Sequence, residues 1–363
     1  MDDLHNKKSD ILTVVLFCGF LCAMLLMYLL IPKKDYSEVE KRYLAESPDL
    51  NWADVASGDW GNDAETYMAD HIPGRDFFVG LNAYFDLWTG RQVGKDIWLK
   101  DGRLVEAPVK WSEGAVTKNM KSINAFGEAV GQQVDLMIVP SAGWAMGLTE
   151  YQDNAIIDNI CASAAVNTVD VRPVFDGNPS LYFRTDHHWN SEGAHAAYAA
   201  YMAECGREFK PADAFIKDTY GTFQGSTYSR SALWLTPGEE LELWQSETPL
   251  TVTNAESEEE HAGVYYWDRL EEADKYTVFL DGNHSLVRIH NPDAEGKLLV
   301  IRDSYSNSLG CFLAESYSEV VLVDLRYYKQ PVSALAAQEG FDDILICYSI
   351  GNFLTDNNLI FLR

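Results

Sequence analysis

Asp186 and His188 in RTDHHWNSEG, and Ser304 in KLLVIRDSYSNS, are the residues whose types and spacing best suit chemistry. In an extended loop, side chains two apart point the same way with Cα atoms roughly 6 to 7 Å apart, so Asp186 and His188 are expected to face one cleft. A carboxylate there can hold the imidazole Nδ1–H and leave Nε2 as a base. His187 is then expected to point to the opposite side, and Trp189 to wall the site. A base needs a nucleophile. Ser304 follows an apolar run and precedes a helical pattern, which is where open α/β sheets present their reactive groups. Backbone N–H groups at such a helix start can stabilise an oxyanion. Tyr305 stands beside Ser304 as a binding residue, and Ser306 and Ser308 are secondary nucleophile candidates. Two later apolar runs end in Asp324 and Arg326, and in Ser349, Gly351 and Asn352. Asn352 can donate its amide to a developing oxyanion, and Arg326 can hold an anionic or carbonyl group. The chemistry this implies is acyl transfer through a serine ester, with no soluble cofactor and no metal.

These groups need a scaffold that brings distant segments to one edge. Short apolar runs at 134–139, 169–171, 298–301, 320–323 and 344–347 read as strands buried on both faces of a parallel sheet. They are separated by helical or loop segments, one of them a helical pattern at 118–130, and a three-layer α/β/α sandwich is expected. After DHHW, Ala194, Ala197, Tyr198, Tyr201, Met202 and Cys205 fall on one helical face, with Asn190 or Ser191 as cap and Gly206 as terminator. A β-rich or irregular insertion is expected at about 207–286. Residues 32–110 read as a stalk and lead-in, and 111–363 as the α/β domain. The uncharged run 11–31 spans roughly 31 Å as a helix, about the thickness of a bilayer's hydrocarbon core. A single-pass signal anchor follows, with a cytoplasmic tail at 1–10 and the C-terminal domain outside the cytoplasm.

With 55 acidic against 28 basic residues, the chain carries a formal net charge of −27, which repels nucleic acid. The six cysteines show no CxxC pair and no framework spacing, so stability is expected from the core.

DHHW before a small-residue helix, DSY after a strand, VDLRYY on the next strand, and the early EKRYLAESP and ADHIPGR segments together resemble the bacterial DHHW family. That family is similar to alginate O-acetylation proteins with SGNH-hydrolase-like domains, and the serine block here follows the Asp/His block, the rearranged order of those relatives. SIGN resembles the SGNH asparagine block, with Phe353 where an Asp usually follows Asn352. The resemblance implies acyl transfer to a cell-surface or secreted polysaccharide, beside a membrane-bound O-acyltransferase that exports the acyl group. A carbohydrate esterase, a noncatalytic polysaccharide-binding or assembly protein, and a metal-dependent phosphoesterase are the alternatives. Ordinary roles also exist for each group: Asp186 and His188 as pins of a helix start, Ser304 as a cap, Arg326 as a structural ion pair and Asn352 as a turn residue.

Overall fold

A computed structural model describes residues 2–37, 42–91 and 96–363. Glu40 and Lys41 of EKRYLAESP, and Gln92 and Val93 of YFDLWTGRQV, lie outside them. The chain divides into two compact units, Met1–Arg91 with Ala232–Trp234, and Gln92–Ser231 with Leu235–Arg363.

The first unit opens with a helix, Asp2–Leu30, whose Ser9–Leu30 segment is long and apolar enough to cross a membrane and is nowhere buried. Three helices follow, Trp52–Ser57, Asp59–Asp70 and Arg75–Trp88. They are tied to the segment after the apolar helix through ADHIPGR. Asp70 accepts two hydrogen bonds from the Arg42 guanidinium, at 2.6 and 2.9 Å, and one from the Ala45 N–H at 2.9 Å. That guanidinium and the backbone donor lower the Asp70 carboxyl to about 2.

The second unit is built on an eight-stranded mixed sheet. In chain order its strands are β1 (Asp135–Val139), β2 (Asn167–Val169), β3 (Thr251–Asn254), β4 (Ser257–Ala262), β5 (Leu286–His290), β6 (Lys297–Arg302), β7 (Glu319–Asp324) and β8 (Asp343–Ser349). Across the sheet they run β4-β3-β5-β7-β6-β8-β1-β2. Four of the five apolar runs picked out in the sequence form β1, β6, β7 and β8, the fifth, 169–171, meets β2 only at Val169, and these five strands are mutually parallel. Their Val, Leu and Ile runs are unbroken because alternate residues enter cores on opposite faces. Met137 and Val139 pack into one core with Val300 and Leu322, while Leu136 and Ile138 pack into the other with Ile301 and Val323. Each such side chain, fully buried, stabilises the fold by about 1.5–3 kcal/mol.

The insertion carries more structure than its composition suggests. An antiparallel ribbon pairs Ile216–Phe223 with Glu239–Gln245, and a short helix, Ser226–Ser231, lies between its strands. β3 and β4 then extend the sheet antiparallel through β5, which pairs with β7. The acidic tract ESEEEH lies largely in β4.

The helix after DHHW is Ser191–Glu204, and its cap is Asn190, whose side chain accepts from the Gly193 N–H at 3.0 Å. Ala194, Ala197, Tyr198, Tyr201 and Met202 are all buried, as their spacing requires. Gly193 is small for a local reason: a Cβ there would sit 2.2 Å from the Leu181 carbonyl oxygen. All six cysteines are unpaired.

Candidate active site

β6 delivers Ser304 to the sheet's C-terminal edge through a tight turn, Asp303–Tyr305, that leads into the helix Ser306–Leu313. Asp303 organises this turn. Its Oδ1 accepts the Tyr305 N–H at 3.0 Å, and its Oδ2 accepts the Ser349 N–H, the Ser349 hydroxyl and the Asn352 amide, each at 2.8 Å. The end of β6 is thereby fixed against the end of β8, its parallel neighbour.

The DHHW loop comes from the other side of the site. Tyr182 and Trp189 form an antiparallel bridge, and the Phe183 N–H donates to the His188 carbonyl at 3.1 Å. From below, the insertion's Glu239 accepts the Arg184 and Thr185 N–H groups and the Thr185 hydroxyl at 2.7–2.9 Å. Within the loop Asp186 Oδ1 accepts the His188 N–H at 2.9 Å and pairs with His188 Nδ1 at 2.6 Å. His188 Nε2 lies 2.8 Å from Ser304 Oγ. The three groups nominated from sequence therefore stand in one line, acid to imidazole to alcohol, with His188 and Ser304 116 residues apart in the chain. All three are buried, with Ser304 the least so at 8% exposure.

The electrostatics suit this line. Burial pushes the Asp186 carboxyl up, but the two imidazoles, the His188 hydrogen bond and the Ser226 N–H outweigh it and hold the group well below the usual carboxylate range. Burial lowers His188 below its ordinary value of 6.5, with His187 adding to the effect and Asp186 opposing it. Near neutral pH the imidazole is thus an uncharged base beside an ionised acid.

A pH dependence follows. If His188 must be neutral, kcat/KM should stay level as pH falls through about 6.5 and decline only below it, as the depressed His188 pKa is reached. Stability should move in the same direction. Between the two pKa values the unfolded imidazole binds a proton that the folded one does not, so this contribution is complete above about 6.5 and is lost progressively below it. A pH–rate profile with parallel unfolding curves checks both; an acidic limb centred above 6.5 would contradict the assignment.

Several expectations need correction. The DHHW loop is bent rather than extended, so alternation does not send His187 away. Its ring lies 3.8 Å from that of His188, and its Nδ1 is 2.6 Å from Ser226 Oγ. Trp189 does not wall the site: it is wholly buried, stacks on Phe175, and its Nε1 donates to the Tyr305 carbonyl and Ser308 Oγ. It supports the Ser304 turn from beneath. Tyr305 is 3% exposed and donates its hydroxyl to the His187 carbonyl, so it joins the two halves of the site instead of offering a binding surface. Asn352 gives its amide to Asp303. Arg326 forms a bidentate pair with Asp324; burial lowers the guanidinium pKa, but the Asp324 and Asp303 carboxylates outweigh it and raise the group, and both Arg326 and Asn352 line a pocket of about 270 Å³ beside Asp303. At the helix start, the Tyr305, Ser306 and Asn307 N–H groups are taken by Asp303 or Ser304 oxygens. The Ser304 N–H has no protein acceptor among the described residues.

The helix Ser306–Leu313 has no side-chain cap, so Ser304 is not there as one. Ser306 Oγ is buried and faces the Cys347 thiol, and Ser308 Oγ bonds Trp189 and Tyr276. Neither meets the imidazole.

Three site residues were not foreseen, all from the insertion. Tyr276 stacks on His188 at 3.9 Å between ring centroids and 4° between planes, and its hydroxyl reaches the Ser304 carbonyl at 3.2 Å. Ser226 gives its N–H to Asp186 Oδ2 at 2.6 Å. Gly225 lets that happen: a Cβ there would lie 2.3 Å from Asp186 Cβ and Oδ2. Gly225→Ala should therefore displace the carboxylate and reduce ester turnover by about 10- to 100-fold, since misplacements near 1 Å cost that much. Steady-state kinetics on variant and parent check this; an unchanged rate would show that the Asp186 position is not critical.

A metal has one candidate location among the described residues, where ligand atoms of Asp186, His187 and His188 lie within 4.8 Å of one another. Those ring nitrogens already face Asp186, Ser226 and Ser304, so the donor set does not fit a metal without breaking the line.

Fold and site together define an α/β protein with a buried acid–imidazole–alcohol line at the C-terminal edge of a mixed sheet. Residues 174–323, which hold both DHHW and Ser304, match the family model described as DHHW protein, bearing out the resemblance drawn from the sequence. Among solved structures, a DHHW family protein from Eubacterium siraeum aligns at 22% identity with a TM-score of 0.64, covering 74% of this chain and 98% of that one. Bacillus cereus PatB1 with a sulfonyl adduct aligns at 20% identity and 0.62, covering 73% and 97%. The O-acetyltransferase domain of Pseudomonas putida AlgJ aligns at 14% and 0.45, covering 72% and 92%. The first two show that the fold is shared. No curated protein matches the chain.

Proposed function

We propose that the chain is a serine-dependent acyltransferase, most simply an acetyltransferase, acting on hydroxyls of a cell-surface or secreted polysaccharide. The observation that carries the reading is the line Asp186–His188–Ser304, with spacings of 2.6 and 2.8 Å. In the first step Ser304 Oγ attacks the acyl carbonyl carbon while His188 Nε2 takes its proton and then delivers it to the leaving group. In the second, a sugar hydroxyl attacks the acyl-serine ester and gives its proton to Nε2. Breaking the serine ester then regenerates the Ser304 hydroxyl with that proton. The Ser304 N–H is the available backbone donor for the oxyanion, and Arg326 at the mouth of the neighbouring pocket is the group to hold an anionic or carbonyl part of the donor or acceptor.

We read the layering as SGNH-hydrolase-like with the serine block last, over 111–363, preceded by a lead-in at 32–110. Residues 11–31 would anchor the chain by a single pass, with 1–10 inside and the rest outside the cytoplasm. That topology puts the site where surface glycans are, and requires a membrane-bound O-acyltransferase to bring acyl groups out. Bacillus cereus PatB1, which shares the fold, is known with a sulfonyl adduct, and a sulfonyl reagent is therefore a suitable probe of this site.

The test is transfer from an activated acetyl ester to an oligosaccharide by the full chain in detergent, followed by mass spectrometry of the sugar. Acetylated sugar is expected. Release of free acetate alone would make the protein an esterase, and turnover that vanishes on chelation and returns with a divalent cation would favour the phosphoesterase alternative.

A further inference from the structure

The helix Arg75–Trp88 wears its amphipathicity inside out. At about 100° per residue, Phe77, Trp88, Leu81, Phe85 and Phe78 fall within one stripe roughly 100° wide. All five are between 45% and 83% exposed. The opposite face is inward, with Gly80 and Ala83 buried and Asp86 largely covered. Trp234 lies along the border between the two faces, so close that a Cβ on Gly80 would fall 1.7 Å from its ring, and it stacks on Phe77 at the edge of the stripe at 5.8 Å. Tyr84 packs edge-on against the same indole at 5.2 Å. Single exposed apolar residues are ordinary, but a contiguous aromatic stripe on a helix whose other face is already packed marks a surface that meets something apolar.

What it meets is indicated by where the helix begins. The preceding turn, His71–Gly74, docks on the residues that leave the apolar N-terminal helix: His71 Nε2 bonds the Lys34 carbonyl at 3.1 Å, only a few residues beyond Leu30. Lys33 and Lys34 line the pocket there, together with Arg75 and the two carboxylates it pairs with, Asp70 and Asp76. An exposed Phe/Leu/Trp stripe that starts a few residues from the exit of a membrane-length helix, with Lys33 and Lys34 at that exit, is placed where a helix can lie in a lipid headgroup layer.

We propose that Arg75–Trp88 is an in-plane interfacial helix whose Phe77, Phe78, Leu81, Phe85 and Trp88 stripe rests in the outer leaflet beside the anchor. This rests on the membrane-anchor reading of residues 11–31. The test places the photo-crosslinking residue p-benzoylphenylalanine singly at Phe85, Tyr84 and Phe20 in the full chain, reconstituted in vesicles of phosphatidylethanolamine and phosphatidylglycerol. Lipid adducts at Phe85 and Phe20, with none at Tyr84, whose half-buried ring is packed against Trp234, are expected. Adducts at Phe20 but not at Phe85 overturn the proposal, as does a Phe85 cross-link to a second copy of the chain. Absence of lipid adducts at Phe20 overturns the anchor reading itself, and this inference with it.

Discussion

Ser304→Ala is expected to lower ester turnover by the full-length protein by about 10³-fold or more while leaving it folded. The hydroxyl's role in the fold is small, since its side-chain hydrogen bond is to His188 and a typical bond of this kind is worth about 0.5–1.5 kcal/mol. The turn is held by Asp303 and by Trp189 beneath it, neither of which the substitution touches. His188 keeps Asp186 and its stacked Tyr276, so the base survives with nothing to deprotonate. Turnover of a chromogenic acetyl ester, with an unfolding curve on the same sample, checks the result. An unchanged rate would remove Ser304 as nucleophile, and a large loss of stability would return it to a structural role.

Asp186→Asn is expected to cost about 10³- to 10⁴-fold, through the tautomer of a ring that itself is unchanged. The carboxylate accepts on both oxygens, from the His188 ring and N–H on one side and from the Ser226 N–H on the other. An amide has one acceptor. If its oxygen stays toward His188, its NH2 meets the Ser226 N–H donor to donor, an unsatisfied buried contact costing about 1–3 kcal/mol. If it flips, the NH2 donates to His188 Nδ1, the ring proton moves to Nε2, and Nε2 can no longer accept the Ser304 proton. Kinetics and unfolding together separate these outcomes. A merely structural Asp186 predicts lower stability with an undiminished rate in the molecules that remain folded.

Much of this site was legible because its parts lie in short, strongly patterned segments. Asp186 and His188 are two residues apart before a helix with a clear apolar face, and Ser304 follows an unbroken β-branched and leucine run. Such local patterns report burial on both faces of a strand directly. Four of the five parallel strands were visible for the same reason. The insertion was not: Tyr276, Ser226 and Gly225 reach the site through folding of a segment with no sustained period, and nothing local distinguishes Tyr276 from the chain's other tyrosines. Gly225 is required by a clash with Asp186, 39 residues earlier, which only three-dimensional packing reveals. The error over His187 had one source. Alternation holds for extended backbone, and Asp186 bends this loop by accepting the N–H of His188 two residues on. Asn352 and Arg326 were placed at the correct edge, but their nearest partners, Asp303 and Asp324, stand at the ends of the strands that carry Ser304 and Arg326.

The most direct measurement is to treat the folded, full-length protein with an aryl sulfonyl fluoride and locate the adduct by peptide mass spectrometry, alongside His188→Ala. A single sulfonyl ester on Ser304, lost when His188 is removed, is what a serine activated by that imidazole predicts. Modification at another residue, or equal labelling of Ser304 without His188, would contradict it.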